Sequence, residues 1–351
     1  MTEYDSLVRD RLPPPELLPE FLLLDYPKRL NAAAELLKGG AAGDLAVVNE
    51  HGRWTYAELD DFSGRIARLL VEEEGLVPGN RVLLRGPNGY TMFAAWLGVL
   101  KAGGVVVATM PLLRPGEIAT VIDAAEISHA IVDSRFIGDF RGAMSQTRFV
   151  KHLVKYDGDY GKGELETRCA GLEPLPPVDT GRDDPALIAF TSGTTGMPKG
   201  CIQFHRDILA PCDTFAKAHF RMAPGDVVMT SAPIAFTFGL GATLMFPLAF
   251  GAAAATIEQP SPPAMVESIA KFGVTHLATA PTAYKAMVSQ PELDEALKTL
   301  KCCLSAGEHL PSATWAAWKA RTDIAIVDGI GSTEMMHIFI SESGDAIRPG
   351  S

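Results

Sequence analysis

Short apolar runs alternate along this chain with segments whose apolar residues recur at helical spacing. The runs "RVLLR", "GGVVVAT" and "HAIVD" predict buried strands in the first half, and "GVTHLATA", "KCCLSA" and "DIAIVDG" predict them in the second. Segments such as "PAMVESIAKF", "PTAYKAMV" and "SATWAAWKA" have the spacing of helices and separate the later runs. This alternation predicts an α/β fold in which parallel sheets carry helices on their faces.

One helix is marked both at its start and along its apolar face. Thr55 and Glu58 have the spacing of a capping box, in which each side chain satisfies a backbone N–H at the start of a helix. The apolar residues that then share one helical face are Leu59, Phe62, Ile66, Leu69 and Leu70. We therefore expect this helix to pack against a sheet.

The segment between Gly171 and Pro185, "GLEPLPPVDTGRDDP", is the best internal boundary because its proline and glycine content breaks regular structure. It divides the chain into a first α/β subdomain over residues 1–182 and a second over residues 183–351. Each motif of chemical interest follows an apolar run, and parallel sheets bind ligands at the carboxyl ends of their strands. The second subdomain would carry the nucleotide loop and the acid pocket, and would be incomplete at its C-terminal end.

The segment from Val227 to Ile257 has no charged residue and is long enough to cross a bilayer. Glycines and a proline interrupt it, and alanines, which are weak on hydropathy scales, dominate its end. A buried helix and strand in an α/β core are therefore favoured over a membrane span. The N-terminus also lacks the apolar core of a secretory signal, which favours the cytoplasm.

Charge and cysteine content exclude several classes of protein. The chain of 351 residues has a formal net charge of −11, which argues against a general nucleic-acid partner or an anionic membrane surface. Its five cysteines form no C-x-x-C pair, so a zinc site is not expected, and their sparse, odd number suggests a reducing compartment. Adjacent Cys302 and Cys303 fit alternating positions of a strand.

The stretch "TSGTTGMPKG", Thr191 to Gly200, follows the apolar run "ALIAF" and combines hydroxyls, glycines and one lysine. Glycines let a backbone approach an anion, and N–H groups, hydroxyls and an ammonium group donate to it. A flexible linker is the alternative interpretation, but the residues of this loop do not form a low-complexity segment. The position before Lys199 is Pro198, so the loop is not the common P-loop, and it lacks the dinucleotide pattern G-x-G-x-x-G.

Three further blocks lie downstream: "APIAFTFGLG" from Ala232, "CLSAGEHLP" from Cys303 and "DGIGSTEMMHIF" from Asp328. Each has an ordinary structural interpretation. A glutamate after "GST" is typical of a helix start, "SAGEHLP" of a turn between strand and helix, and buried phenylalanines of core packing. A lone histidine such as His337 is also often structural.

Together with the first loop, these blocks resemble the adenylate-forming superfamily. That superfamily includes acyl- and aryl-CoA ligases, luciferases and the adenylation domains of nonribosomal peptide synthetases. The chain is most similar to benzoate-CoA and 2-aminobenzoate-CoA ligases, and the N-terminal "DRLPPPELLPEF…DYPKRLNAAAELL" looks most like the latter. The resemblance implies the large N-terminal domain of the superfamily, with parallel sheets and helices in αβαβα layers.

The resemblance also implies a role for individual residues. Lys199, Thr333 and Glu334 would be catalytic, and Glu334 would bind Mg²⁺. Residues implied to bind ATP are Thr191, Ser192, Gly193, Thr194, Thr195, Gly196, Lys199, Ser305, Gly307, Glu308, Asp328, Gly329, Ile330, Gly331 and Thr333. Residues implied to bind the acid are Phe236, Thr237, Phe238, Gly239, Ala306, Gly307, His337 and Ile338.

Two positions depart from the pattern of the wider superfamily. Ile330 stands where most members have an aromatic residue against adenine, and benzoate-CoA ligases also have isoleucine there. Members that activate amino acids carry Phe-Asp in the acid pocket, whereas this chain has Phe236 followed by Thr237. The pattern therefore favours an aryl acid, for which Phe236 and Phe238 provide ring contacts.

The implied activity is that of an aryl-CoA ligase of aromatic compound degradation, using ATP, Mg²⁺ and CoA on a benzoate, with 2-aminobenzoate as a candidate. An acyl-AMP-forming domain that delivers to a carrier protein and a catalytically incompetent acid-binding fragment remain open, as does a homodimer. Superfamily members continue through a ribose-binding aspartate, a hinge and a mobile C-terminal domain with a catalytic lysine. The sequence ends at Ser351 before these elements, so we expect the N-terminal part only, inactive or very weak by itself.

Overall fold

A computed structural model describes residues 5–11, 24–191 and 198–350. The chain forms two compact units that interleave along the sequence. The first unit comprises the described parts of Met1–Glu35, Glu58–Pro87 and Thr91–Ala210, and the second comprises those of Leu36–Ala57, Asn88–Tyr90 and Pro211–Ser351.

The described residues contain both strands and helices throughout, which confirms the α/β class. The strands are β1 Leu45–Asn49, β2 Gly52–Thr55, β3 Arg81–Arg85, β4 Val105–Thr109, β5 His129–Asp133, β6 His152–Tyr156, β7 Pro185–Thr191, β8 Lys199–Phe204, β9 Val227–Thr230, β10 Ala253–Ala255, β11 His276–Thr279, β12 Cys302–Ser305, β13 Ile326–Gly331 and β14 Ile338–Ser341. All six apolar runs that predicted strands lie on strands.

The α-helices lie mostly between strands, as the helical spacing predicts. They are α1 Leu7–Asp10, α2 Ala32–Leu37, α3 Tyr56–Arg68, α4 Tyr90–Lys101, α5 Pro115–Ala125, α6 Ile137–Met144, α7 Glu164–Cys169, α8 His205–Pro211, α9 Thr237–Leu240, α10 Phe246–Ala249, α11 Pro262–Phe272, α12 Pro281–Met287, α13 Leu293–Ala296 and α14 Ser312–Thr322. π-helical turns cover Leu69–Glu73, Cys212–Phe220 and Gly241–Met245, and 3₁₀ turns cover Ser134–Phe136 and Gly344–Ala346.

The first unit contains a six-stranded sheet in the order β6-β5-β3-β4-β7-β8. Its strands are parallel except for β8, which pairs antiparallel with β7. The core on this sheet includes Leu83, Val107, Ile122 and Phe140. The predicted helical face runs along α3 and the π-helical turn Leu69–Glu73 that continues it. Four of its five apolar residues are buried and Phe62 is half-buried, so that face is confirmed, while the capping box stays a prediction.

The second unit contains an eight-stranded sheet in the order β14-β13-β12-β11-β9-β10-β1-β2. Its inner strands are parallel, but β2 and β14 at the two edges pair antiparallel with β1 and β13. The predicted parallel pairing thus holds for the inner strands, and the sheet is mixed because its two edges are antiparallel. Short connections such as the one between β1 and β2 can close a hairpin, whereas a parallel crossover needs a dozen or more residues.

The uncharged segment from Val227 to Ile257 folds into the second unit as β9, two short helices joined by a π-helical turn, and β10. Both strands lie inside the sheet, and their apolar residues join a core that includes Tyr284 and Trp318. This confirms the buried helix and strand. Within residues 5–11, 24–191 and 198–350, no helix has both the length and the apolar character needed to cross a membrane.

Residues 171–184 contain no helix or strand, as their composition predicts. Within the first unit, the backbone N–H of Leu175 donates to the Gly64 carbonyl at 2.9 Å, and that of Val178 donates to the Lys101 carbonyl at 2.8 Å. The first unit continues past this segment to Ala210 because β7 pairs with β4. The division between residues 182 and 183 stays a prediction.

Candidate active site

The candidate phosphate loop is the connection of a hairpin in the first unit. Thr191 at the end of β7 faces Lys199 at the start of β8 in the antiparallel ladder. Lys199 is exposed and Thr191 is half-buried, so an ammonium group stands at the base of the loop where solutes reach it. Both ends of the loop are fixed by the ladder, unlike the ends of a linker. The predicted ligands Ser192, Gly193, Thr194, Thr195 and Gly196 lie outside the described residues.

The candidate acid-binding segment lies in the second unit, between β9 and the end of α9. Phe236 is 50% exposed, Thr237 is buried and Phe238 is half-buried. A Cβ atom on Gly239 would lie 2.5 Å from the Ala232 carbonyl oxygen. Only glycine therefore allows α9 to pack this closely on the preceding chain.

His337 lies at the centre of an aromatic cluster, which we define as Phe215, Phe238, Phe246 and His337. The imidazole stacks on Phe238 with ring centroids 5.6 Å apart, meets Phe246 edge-on at 4.6 Å, and lies 5.3 Å from Phe215. It is only 2% exposed. Phe238 and His337, both predicted to line the acid pocket, are thus in contact. Ile338 follows His337 as a buried residue of β14.

The His337 imidazole is neutral. Burial lowers its pKa to about 3, and the Phe238 carbonyl opposes that shift only in part. Its Nε2 atom lies 3.4 Å from the Phe238 carbonyl oxygen, which requires the proton on Nε2. Nδ1 then carries a lone pair, and it has no hydrogen-bond partner among the described residues.

Thr333 and Glu334 lie in the turn that joins β13 to β14. The Ser332 N–H donates to the His337 carbonyl at 3.3 Å, and the Met336 N–H donates to the Thr333 carbonyl at 3.2 Å. Glu334 is exposed and Thr333 is half-buried. The alternative of a helix-start carboxylate is wrong, because residues 332–337 form a hairpin turn and no helix begins there.

The end of β12 and the middle of β13 lie side by side. Ser305 pairs with Asp328 in the parallel register, and Ser305 and Ala306 are buried. Gly307 has a φ of 94°, a left-handed conformation that favours glycine. Glu308 is exposed and its Oε1 accepts from the Thr282 N–H at 3.0 Å. The chain then enters α14, so this block is also an ordinary strand-to-helix turn.

A cavity of about 160 Å³ adjoins β13 within the second unit. The residues that line it include Leu310, Trp315, Asp328, Gly329, Ile330 and Ile340. Burial raises the pKa of the Asp328 carboxyl, an effect that the Ser305 hydroxyl offsets in part. Ile330 is 60% exposed and faces Ile340 across the hairpin. Gly331 is exposed at the end of β13.

Glu334 is the predicted ligand of Mg²⁺, and its side chain is exposed. Within the part of the chain that the structure describes, no group of three or more His, Cys, Asp or Glu side chains is arranged to hold a metal. Mg²⁺ on a nucleotide commonly takes one or two carboxylates and fills its remaining positions with phosphate and water oxygens. A single exposed carboxylate is compatible with that chemistry.

The sequence did not indicate that Phe215 and Phe246 would lie against His337, whereas Gly241 ends the motif "APIAFTFGLG" that predicts the acid pocket. Phe215 lies in the π-helical turn Cys212–Phe220 and Phe246 follows the turn Gly241–Met245. Short π-helical segments are rare and are frequent at functional sites.

The fold and site are those of an α/β protein of the adenylate-forming class. They comprise two sheets, a hairpin that carries Lys199, and a turn that carries Thr333 and Glu334. The model of the family "AMP-binding enzyme" matches residues 38–351, and the chain belongs to that family. The resemblance seen in the sequence is thereby confirmed.

Named ligases and solved ligase structures match more than nine tenths of this chain. Benzoate–CoA ligase of Thauera aromatica is 33% identical over 335 residues, which are 93% of this chain and 63% of the relative. A crystal structure of the anthranilate CoA ligase AuaEII with anthranoyl-AMP is 27% identical, with a TM-score of 0.87 over 93% of this chain and 64% of that one. A benzoate CoA ligase of Burkholderia xenovorans LB400 is 29% identical, with a TM-score of 0.83 over 91% and 64%. The chain therefore spans less than two thirds of the length of these relatives.

Proposed function

We propose that this chain belongs to an aryl-CoA ligase. The protein would activate a benzoate-type acid with ATP, releasing pyrophosphate and forming an aryl-adenylate, and would then transfer the aryl group to CoA with release of AMP. The observation that carries the proposal is the stacking of Phe238 on His337 within the aromatic cluster. Beside it, Thr237 stands where amino-acid-activating members of the superfamily have aspartate. Two relatives named for benzoate and one named for anthranilate support it.

The acid-binding region suits an uncharged aromatic ring. The imidazole of His337 is neutral, and its ring neighbours are phenylalanines. Stacked and edge-on contacts between rings are each favourable by about 0.5–1.5 kcal/mol beyond burial alone. A substrate ammonium group would find no carboxylate at Thr237, and its desolvation would then be uncompensated.

The first chemical step needs cations and N–H donors around the phosphates. A carboxylate oxygen of the acid attacks the α-phosphorus, and the bond from that phosphorus to the bridging oxygen of pyrophosphate breaks. Negative charge grows on the phosphate oxygens, so positioned donors supply most of the stabilisation. We assign Lys199 and the hydroxyls of the loop from Thr191 to Thr195 to the phosphates.

Glu334, with Thr333 beside it, is proposed to hold the Mg²⁺ that accompanies ATP. When bound, this ion neutralises phosphate charge during transfer. The cavity beside Asp328, Gly329 and Ile330 is proposed to accept part of the nucleotide. Ser305, Gly307 and Glu308 are proposed to border the same ligand, because β12 and β13 are neighbours in register.

A substrate panel tests the proposal. The 351-residue chain and the longest reading frame that contains it are assayed by pyrophosphate exchange with benzoate, 2-aminobenzoate, phenylalanine and palmitate. We expect both benzoates to exceed phenylalanine and palmitate by at least tenfold, with 2-aminobenzoate as the preferred ring. Preference for an α-amino acid or a fatty acid would contradict the proposal.

The acceptor is tested separately, by supplying either CoA or a phosphopantetheinyl carrier protein after the adenylate has formed. Thioester formation with CoA supports the ligase, and exclusive transfer to the carrier would assign a carrier-loading domain instead. If the protein encoded by the longest reading frame binds the acid but gives neither pyrophosphate exchange nor a thioester, the result would assign an acid-binding protein without catalytic activity. A cytoplasmic location and a homodimer stay predictions, which fractionation and light scattering test.

A further inference from the structure

We propose that Gly241 is a positioning residue for the aryl acid, because the absence of a side chain there seats the His337 imidazole. The inference builds on the proposed function, in which His337 and Phe238 contact the acid. Gly241 itself would touch neither the acid nor ATP. It would act through the imidazole that packs on its backbone.

The imidazole occupies the volume that a Cβ on Gly241 would need. Such an atom would lie 2.8 Å from His337 Nε2 and still closer to Cδ2, and 3.0 Å from the Phe246 ring. Real Cβ atoms essentially never approach a heavy atom within 3.0 Å. An alanine at position 241 must therefore displace the His337 ring or deform the helix.

The backbone itself does not require glycine at this position. Gly241 has φ −60° and ψ −55°, which is ordinary right-handed helix. In a helix alanine is more favourable than glycine by about 1 kcal/mol. The reason for glycine is thus the close approach of His337, and a loss caused by Gly241→Ala would come from that contact.

The least buried of the three rings around His337 is the one most able to give way to a displaced imidazole. Phe246 and Phe215 are buried at 0% and 6% exposure, whereas Phe238 is half-buried. The imidazole would therefore shift toward the side-chain ring of Phe238. This shift would break the hydrogen bond that Nε2–H donates to the backbone carbonyl of Phe238. Both side chains that we assign to the acid would leave their positions together, while Lys199 would be unaffected.

The experiment is a double-mutant cycle on acid binding. Dissociation constants of benzoate and 2-aminobenzoate are measured by calorimetry for the wild type, Gly241→Ala, His337→Ala and the double variant. We expect Gly241→Ala to weaken acid binding at least tenfold in the wild-type background and less than twofold in the His337→Ala background. The dissociation constant of ATP should change less than twofold, which a general loss of structure would not give.

Thermal unfolding of the same four proteins supplies a readout that needs no substrate. Gly241→Ala should lower the unfolding temperature, and the added His337→Ala should restore part of it by removing the clash. Gly138→Ala is the matched control, because Gly138 lies in α6 and a Cβ there meets nothing within 4 Å. If Gly241→Ala alone fails to fold while the double variant folds, the coupling is supported by that rescue.

Two results would overturn the inference. One is unchanged acid binding by folded Gly241→Ala, and the other is an equal loss in both backgrounds, which would mean that Gly241 acts without His337. If the wild type binds no aryl acid while the unfolding temperatures show the coupling, the proposed function fails and the contact stands. The two failures are therefore distinguishable.

Discussion

Lys199 allows the most direct test at the scale of single residues. Its side chain is exposed at the start of β8, so Lys199→Ala should leave the unfolding temperature unchanged. A hydrogen bond to a charged group contributes about 1.5–3 kcal/mol. We therefore expect pyrophosphate exchange in the longest frame to fall at least tenfold in kcat/KM.

Lys162→Ala is a suitable control for this change, because Lys162 is another exposed lysine of the first unit. It should exchange pyrophosphate at the wild-type rate. Equal exchange by both variants would remove Lys199 from the proposed phosphate site and leave the loop without an assigned cation.

The sequence revealed residues that act within one contiguous motif and missed those that come together only on folding. Thr191 and Lys199 belong to one motif, and the hairpin brings them opposite each other. Phe215 and Phe246 are far from His337 in sequence, and a phenylalanine at helical spacing looks the same in a core as in a pocket. Their part in the aromatic cluster follows from π-helical turns that no local pattern indicated.

At the scale of elements, the strands were predictable because their apolar runs are buried on both faces, as in parallel sheets. The antiparallel edges were not, because an apolar run does not reveal the direction of its partner. The segment "GSTEMMH" shows the same limit. Its residues suit either a helix start or a turn, and the choice depends on whether Ile338 continues as a paired strand.

The packing of the turn after α2 gives a prediction for an element of the second unit. A Cβ on Gly39 would lie 2.6 Å from the carbonyl carbon of Ala249 and closer still to the Leu248 oxygen. These are backbone atoms of α10 and cannot rotate away. Gly39→Ala should therefore destabilise the protein by about 1–3 kcal/mol, the usual cost of overpacking.

Gly43→Ala provides the matched comparison, because Gly43 lies in the next turn and a Cβ there meets nothing within 4 Å. The urea midpoint of each variant is compared with that of the wild type. We expect a clear decrease for Gly39→Ala and almost none for Gly43→Ala. Equal midpoints would show that the turn after α2 adjusts without cost.

At the scale of the whole molecule, several buried histidines make stability sensitive to acid. Burial lowers the pKa of His129 and His205 in the first unit and of His276 and His337 in the second. Burial raises the pKa of the Glu166, Asp207 and Asp328 carboxyls, which therefore favour the folded state as the pH falls. The two groups act in opposite directions, so the effect of one histidine must be isolated by substitution.

His205 is suited to that test because it is 1% exposed and its Nδ1 accepts from the Ala32 N–H at 3.0 Å. Burial lowers its pKa to about 4, with Asp184 opposing the shift. The unfolded chain binds a proton near pH 6.5 and the folded chain does not, so the free energy of unfolding decreases as the pH falls from about 6.5 toward 4. Between pH 7.5 and 5 this histidine should account for a loss of about 2 kcal/mol.

In His205→Asn the amide oxygen can replace Nδ1 as the acceptor for Ala32, but the side chain no longer titrates. Urea unfolding of the wild type and this variant is measured at intervals from pH 7.5 to 5. The variant should lose less stability than the wild type over that range, by about the amount assigned to His205. Parallel curves would mean that His205 becomes protonated without disturbing the fold, and that the acid sensitivity arises from the other buried histidines.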